Sequence, residues 1–121
     1  MEGTYMAYVG SYSYTGKAKG ITVYDVDVEK GRFEKRCEVE VNNSSYVIVS
    51  NSGKTLYSIA DEGVVSFRIL ESGALTRLNS ANIKGMRGCH LSTDAEDKYL
   101  FVSGYHDGKA TILKLNPDGS I

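Results

Sequence analysis

The residues of this chain best suited to chemistry are its two histidines, a loop glutamate, an arginine set between glycines and several loop tyrosines. Glu62, His90 and His106 can each accept a proton from water as a general base, and Glu62 and His90 are the catalytic candidates. Arg87, within Gly85-Met86-Arg87-Gly88, offers a planar guanidinium that grips a phosphate or carboxylate with two bonds. Tyr12, Tyr14 and Tyr105 can stack on a ring or donate a hydrogen bond, and Asn43 and His106 add polar contacts. With Arg87, the residues Tyr12, Tyr105, His106 and Asn43 form the expected binding set. Plainer readings compete at each position. His90 follows Cys89 into an apolar run and suits a buried imidazole bonded to backbone; His106 lies in the turn-like Tyr-His-Asp-Gly; Glu62 precedes Gly63 and suits a turn. The histidines lack a nearby Cys or carboxylate array, so no metal is expected. No glycine-rich phosphate loop leads into a helix and no Gly-x-Ser-x-Gly elbow is present, so no nucleotide cofactor and no serine triad are expected.

The elements that must position these residues repeat. Gly31, Gly73 and Gly119 close equivalent turns (Glu-Lys-Gly-Arg, Glu-Ser-Gly-Ala, Pro-Asp-Gly-Ser), and Gly20, Gly63 and Gly108 open the strands before them, at a period of about 42 to 46 residues. The strands after these openings superpose, with Tyr24, Phe67 and Leu113 in one column and Val26, Ile69 and Leu115 in the next. An apolar run lies upstream of each: Tyr5 to Val9, Leu56 to Ala60, and Tyr99 to Val102. No segment holds helical periodicity for about 11 residues, so the chain reads as all-β. A period of this length is that of a four-stranded antiparallel β-propeller blade.

Within a blade, Tyr46 to Val49 is apolar on both faces and reads as an innermost strand with a blade on each side. From Phe33 to Val41 the pattern alternates, with Phe33, Cys37, Val39 and Val41 on one face and Glu34, Arg36, Glu38 and Glu40 on the other. That suits an outer strand whose charges discourage pairing with a foreign edge. The expected count is three strands, four strands and three strands, in blade segments of about 4–41, 45–80 and 88–121. Two and a half blades cannot close a ring, which needs about four or more. The open faces then require either the remaining blades of a longer chain, the preferred reading, or further copies of this one. In such blades the loops 11–19, 41–45, 61–62, 82–88 and 104–107 share one rim, and every candidate above lies in or beside them.

Composition excludes several partners. With 14 Lys and Arg against 15 Asp and Glu, no basic field is available for nucleic acid. No run of about 18 apolar residues suggests a membrane span, and Met1-Glu2-Gly3 lacks the basic start of a secretory signal, so a cytoplasmic protein is expected. Cys37 and Cys89 lie in different repeats without ligand spacing and read as free, mostly buried thiols.

Tyr8-Val9-Gly10-Ser11-Tyr12, Lys19-Gly20-Ile21, Tyr24 with Asp27, Ser45-Tyr46, Ser52-Gly53-Lys54 and Leu56-Tyr57 resemble the opening of the lactonase-type seven-bladed propellers, the 6-phosphogluconolactonase family. The resemblance continues through Gly73-Ala74-Leu75-Thr76, Cys89-His90, Lys98 to Val102 and Asp118-Gly119-Ser120. It implies the first third of a seven-bladed propeller that hydrolyses a sugar lactone such as 6-phosphogluconolactone, in the pentose phosphate pathway. It also leaves open a carboxymuconate-type lactonising isomerase, and the fold leaves open a non-catalytic propeller that binds a ligand or protein on its rim. Where the family often carries Pro-Asp-Gly, this chain has Asn51-Ser52-Gly53 and Asp94-Ala95-Glu96-Asp97. The later blades, which in this family supply much of the His, Arg and Glu chemistry, lie outside the sequence, so the isolated chain is expected to be inactive.

Overall fold

Short runs of β-branched and aromatic residues, each ended by a glycine- or aspartate-bearing turn, pair with their neighbours in sequence as antiparallel hairpins. The computed structural model describes residues 4–121. The first sheet is β1 (Thr4–Gly10), β2 (Gly20–Asp27) and β3 (Arg32–Glu40), in that order. The second is β4 (Val47–Val49), β5 (Thr55–Ala60), β6 (Gly63–Ile69) and β7 (Leu75–Asn82), and the third is β8 (His90–Thr93), β9 (Tyr99–Ser103) and β10 (Ala110–Lys114). The expected three, four and three strands are all present. No helix occurs among the described residues, and so none long and apolar enough to cross a membrane.

The repeated turn glycines owe their spacing to backbone geometry. Gly31, Gly73 and Gly119 adopt φ of 63°, 86° and 90°, where a Cβ is strongly disfavoured. In the first of these turns the Asp27 carboxylate accepts the Glu29 and Lys30 N–H groups, both at 3.1 Å, and so fixes the bend.

The middle sheet is buried on both faces, which explains why Leu56 to Ala60 reads as a continuous apolar run. Along β5, Tyr57 and Ile59 point to the third sheet and join Val64, Leu91, Leu100, Val102 and Leu115 in one core. Leu56 and Ala60 point the other way and join Ile21, Val41, Val65 and Phe67 in a second core against the first sheet. Each fully buried Leu, Ile, Val or Phe contributes about 1.5–3 kcal/mol by leaving water. These two cores fix the blades side by side and thereby fix the loops at their ends. The outward faces of the first and third sheets are open, with Tyr5, Phe33 and Ile112 at least 60% exposed.

One expectation on the outer strand does not hold. Phe33 does not share a face with Cys37 and Val39, because the pairing shifts between Val23 and Tyr24: Val23 faces Cys37 while Tyr24 faces Lys35, leaving Arg36 as the extra residue of a β-bulge. Phe33 therefore lies on the open face, its ring 5.6 Å from that of Tyr24. The second sheet carries the same bulge at the matching place, where Ser66 faces Asn79 and Phe67 faces Arg77, leaving Leu78 over. The displaced Arg36 reaches Asp25 at 2.8 Å, while Lys35 pairs with Glu38. The cysteines are free and half-buried.

Candidate functional site

The loops β1–β2, β3–β4, β5–β6, β7–β8 and β9–β10 emerge at one end of the three sheets, as alternating antiparallel strands require. Four of them meet in a single polar cluster. Asn43, at the head of the β3–β4 link, has φ of 56°, a conformation asparagine tolerates better than most residues. Its backbone N–H donates to Ser13 Oγ at 3.0 Å, and its side-chain Oδ1 accepts the Ser13 N–H at 2.8 Å. This reciprocal pair ties the β1–β2 loop to the link between the first two sheets. The amide nitrogen of Asn43 then donates to both carboxylate oxygens of Asp61, at 2.9 and 3.1 Å.

Arg87 approaches from the β7–β8 loop. Its Nη1 lies 3.6 Å from Asp61 Oδ1, outside hydrogen-bond range, and its Cζ sits 5.2 Å from the centroid of the Tyr12 ring, a cation–π contact. Tyr14 stands edge-on to Tyr12 at 6.1 Å. Nη1 is shielded from solvent yet has no hydrogen-bond partner. A buried donor left unsatisfied is unfavourable by about 1–3 kcal/mol, and the Asp61 charge 3.6 Å away offsets part of that.

The loop that carries Arg87 is fastened on both sides. Before it, the Met86 N–H donates to Asp107 Oδ2 at 3.0 Å, and this bond holds the Asp107 carboxyl below its ordinary range. After it, Gly88 lies so close to the core that a Cβ there would stand 2.6 Å from Val102 and 2.9 Å from Ile59. Any side chain at 88 would lift the loop off the seam between the second and third sheets.

Of the residues expected from sequence, the structure brings Tyr12, Asn43 and Arg87 together. His90 begins β8, the edge strand adjoining β4, and is exposed, with its ring 5.0 Å from that of Tyr46. These two rings occupy equivalent places at the heads of successive inner strands. Glu62 is exposed and lines a cleft of about 500 Å³ between the outer parts of the first two sheets, with Glu40, Arg77, Ser80 and Asp61, so the cleft adjoins the polar cluster. Tyr105 and His106 stack on each other at 4.3 Å in the exposed β9–β10 loop. The residues that sequence reasoning passed over are Asp61, Ser13 and Tyr46. Tyr46 was accessible through the repeat, since it precedes β4 as His90 opens β8. Asp61 and Ser13 carry no spacing of their own and emerge only through Asn43.

Stacked antiparallel sheets of three to four strands, with a polar cluster where their loops converge on one rim, define part of a β-propeller. The family described as lactonase, 7-bladed beta-propeller matches residues 6–121, and the chain belongs to that family. It is 33% identical to a 6-phosphogluconolactonase of Bacillus subtilis over 97% of this chain and 35% of the relative. It is 29% identical to a 6-phosphogluconolactonase of Formosa agariphila, over 94% of this chain and 35% of the relative. Its fold superposes on the crystal structure of a 6-phosphogluconolactonase candidate from Bacteroides fragilis with a TM-score of 0.90 at 30% identity, covering 98% of this chain and 34% of that one. The chain thus spans about a third of the length of the relatives it matches.

Proposed function

We propose that the full-length protein hydrolyses a sugar lactone of the 6-phosphogluconolactone type, and that this chain supplies one wall of the pocket. The observation that carries the reading is the half-buried Arg87 guanidinium, which packs on Tyr12 and faces Asp61 at 3.6 Å where the rim loops converge. The similarity to relatives named 6-phosphogluconolactonase supports it.

In this reaction water adds to the lactone carbonyl, a general base takes the water proton, and the carbonyl oxygen carries the developing negative charge. The carbon to ring-oxygen bond then breaks, the ring oxygen takes up a proton, and the open-chain acid leaves as its carboxylate. Both the substrate's phosphate and the product's carboxylate are oxyanions that suit a bidentate guanidinium. Tyr12 supports the cation from below, and its exposed ring offers a surface for the sugar. His90 and Glu62 stand as the candidate bases of this chain, His90 on the inner edge and Glu62 in the outer cleft.

The test is a lactonase assay on the full-length protein with 6-phosphogluconolactone, run beside a substrate panel that includes a muconolactone. Hydrolysis that falls at least tenfold in Arg87→Ala, with the melting temperature unchanged, supports the reading. No turnover of any lactone contradicts it and leaves a non-catalytic propeller, whereas turnover of the muconolactone alone assigns the isomerase.

A further inference from the structure

The arrangement around Asp61 poses a physical problem. A carboxylate and a guanidinium free to meet close to about 2.7–2.9 Å, usually with two parallel bonds. Asp61 and Arg87 face each other on the same rim yet stop at 3.6 Å, and Arg87 Nη1 makes no hydrogen bond. Both Asp61 oxygens are instead engaged by a single donor, Asn43 Nδ2. The orientation of that amide is fixed by its partners: Ser13 N–H needs an acceptor and the carboxylate needs a donor, so Oδ1 must face Ser13 and Nδ2 must face Asp61. Asn43 is itself anchored through its own backbone N–H to Ser13 Oγ.

We infer that Asn43 is a positioning residue that holds the Asp61 carboxylate back from Arg87, keeping the guanidinium open for the oxyanion of a small ligand. Asp61 is close enough to draw the guanidinium into place by charge. Because the Asn43 amide holds both of its oxygens, the carboxylate makes no direct hydrogen bond to the donors that the ligand uses. Without the amide, Asp61 closes on Arg87 and becomes an internal competitor for the ligand. The oxyanion, phosphate or carboxylate, is that of the lactone or its product, so in naming the ligand the inference rests on the proposed function, whereas the geometry of the Asn43, Asp61 and Arg87 triplet does not.

The test measures binding, by calorimetry on the full-length protein, of inorganic phosphate, gluconate and 6-phosphogluconate. The suitable variant is Asn43→Gly, because glycine keeps the left-handed backbone and deletes only the amide. Asn43→Gly is expected to weaken binding about tenfold, Asp61→Asn to bind at least as tightly as the parent, and the double variant to return to within about threefold of Asp61→Asn. A double variant as weak as Asn43→Gly overturns the inference, since rescue is the one result that a merely structural loss of the loop does not give. Should Asn43→Gly fail to fold, Asp61→Asn decides alone: weaker binding than the parent means that the carboxylate assists the anion site and overturns the inference. Phosphate and gluconate titrations separate the two sources of oxyanion. A protein that shows the rescue but hydrolyses no lactone contradicts the proposed reaction and leaves this inference standing, and lactone hydrolysis with affinity unaltered in Asn43→Gly does the reverse.

Discussion

Asp61 and Asp97 each bridge a seam between two blades, at opposite ends of the same sheets, and their surroundings differ in what remains unsatisfied. Asp97 is saturated: its oxygens accept the backbone N–H groups of Asn51 and Ser52 at 2.9 and 2.8 Å, the Thr93 hydroxyl at 3.0 Å and the Asn51 amide at 3.2 Å. It occupies a left-handed position, φ 55°, where the equivalent residue of the preceding blade is Gly53, and the backbone strain is offset by these bonds across the seam. Asp61 is braced by one amide and faces a cation it does not reach. A fully bonded carboxylate joins blades together, whereas a carboxylate that makes no hydrogen bond to the guanidinium beside it leaves acceptor and donor sites free. In the proposed function the first rim holds the ligand, whereas at the second the bonds of Asp97 join the blades.

The largest effect that separates the two rims belongs to Arg87→Ala in the full-length protein. It should reduce affinity for 6-phosphogluconate by about 100-fold or more, the scale of losing a charged partner from a shielded oxyanion, with the thermal melting curve unchanged. An affinity within threefold of the parent would abolish the distinction. Asp97→Ala should do the opposite, lowering unfolding free energy by about 1–3 kcal/mol in denaturant titration while leaving that affinity unaltered. Tyr12→Ala, which removes the ring under the guanidinium, should weaken affinity by about three- to tenfold, in keeping with a half-exposed cation–π contact.

Proton linkage gives a smaller contrast. Partial burial works against the ionised Asp97, but the N–H groups of Asn51 and Ser52 outweigh it and hold the carboxyl below its ordinary 3.8. A depressed carboxyl contributes stability that is present above about pH 4 and is lost as the pH falls through the lower folded value. Denaturant midpoints of parent and Asp97→Asn, measured at successive pH values, should therefore differ less as the pH drops below 4. Tyr57 gives the matching effect in base, because burial pushes its hydroxyl from 10.0 up to about 12 while it donates to the Gly119 carbonyl at 2.7 Å. Its contribution is complete below pH 10 and should disappear between pH 10 and about 12, so Tyr57→Phe should flatten the alkaline limb of the stability curve.

The blade repeat was legible in sequence because its markers are backbone requirements: the turn glycines recur where φ is positive, and β5 reads as an apolar run because both its faces are buried. The bulges at Arg36 and Leu78 were not legible. Residues 33 and 37 share a face on a regular strand, and an extra residue in the pairing leaves no trace in the alternation of charges. At the site, Arg87, Tyr12 and Asn43 stood out by type and loop position. Asp61 did not, because the neighbouring Glu62 is the same chemistry one residue later; both line the outer cleft, and only the bonds from Asn43 mark Asp61 as part of the rim cluster. Saturation, which distinguishes Asp61 from Asp97, is a property of distances and has no sequence signature.

The most direct measurement is a crystal structure of the full-length protein with 6-phosphogluconate bound. An oxyanion of the ligand is expected within about 2.7–3.2 Å of the Arg87 guanidinium, with Asn43 still on Asp61. A ligand seated elsewhere in the propeller, with Arg87 closed on Asp61, would contradict it.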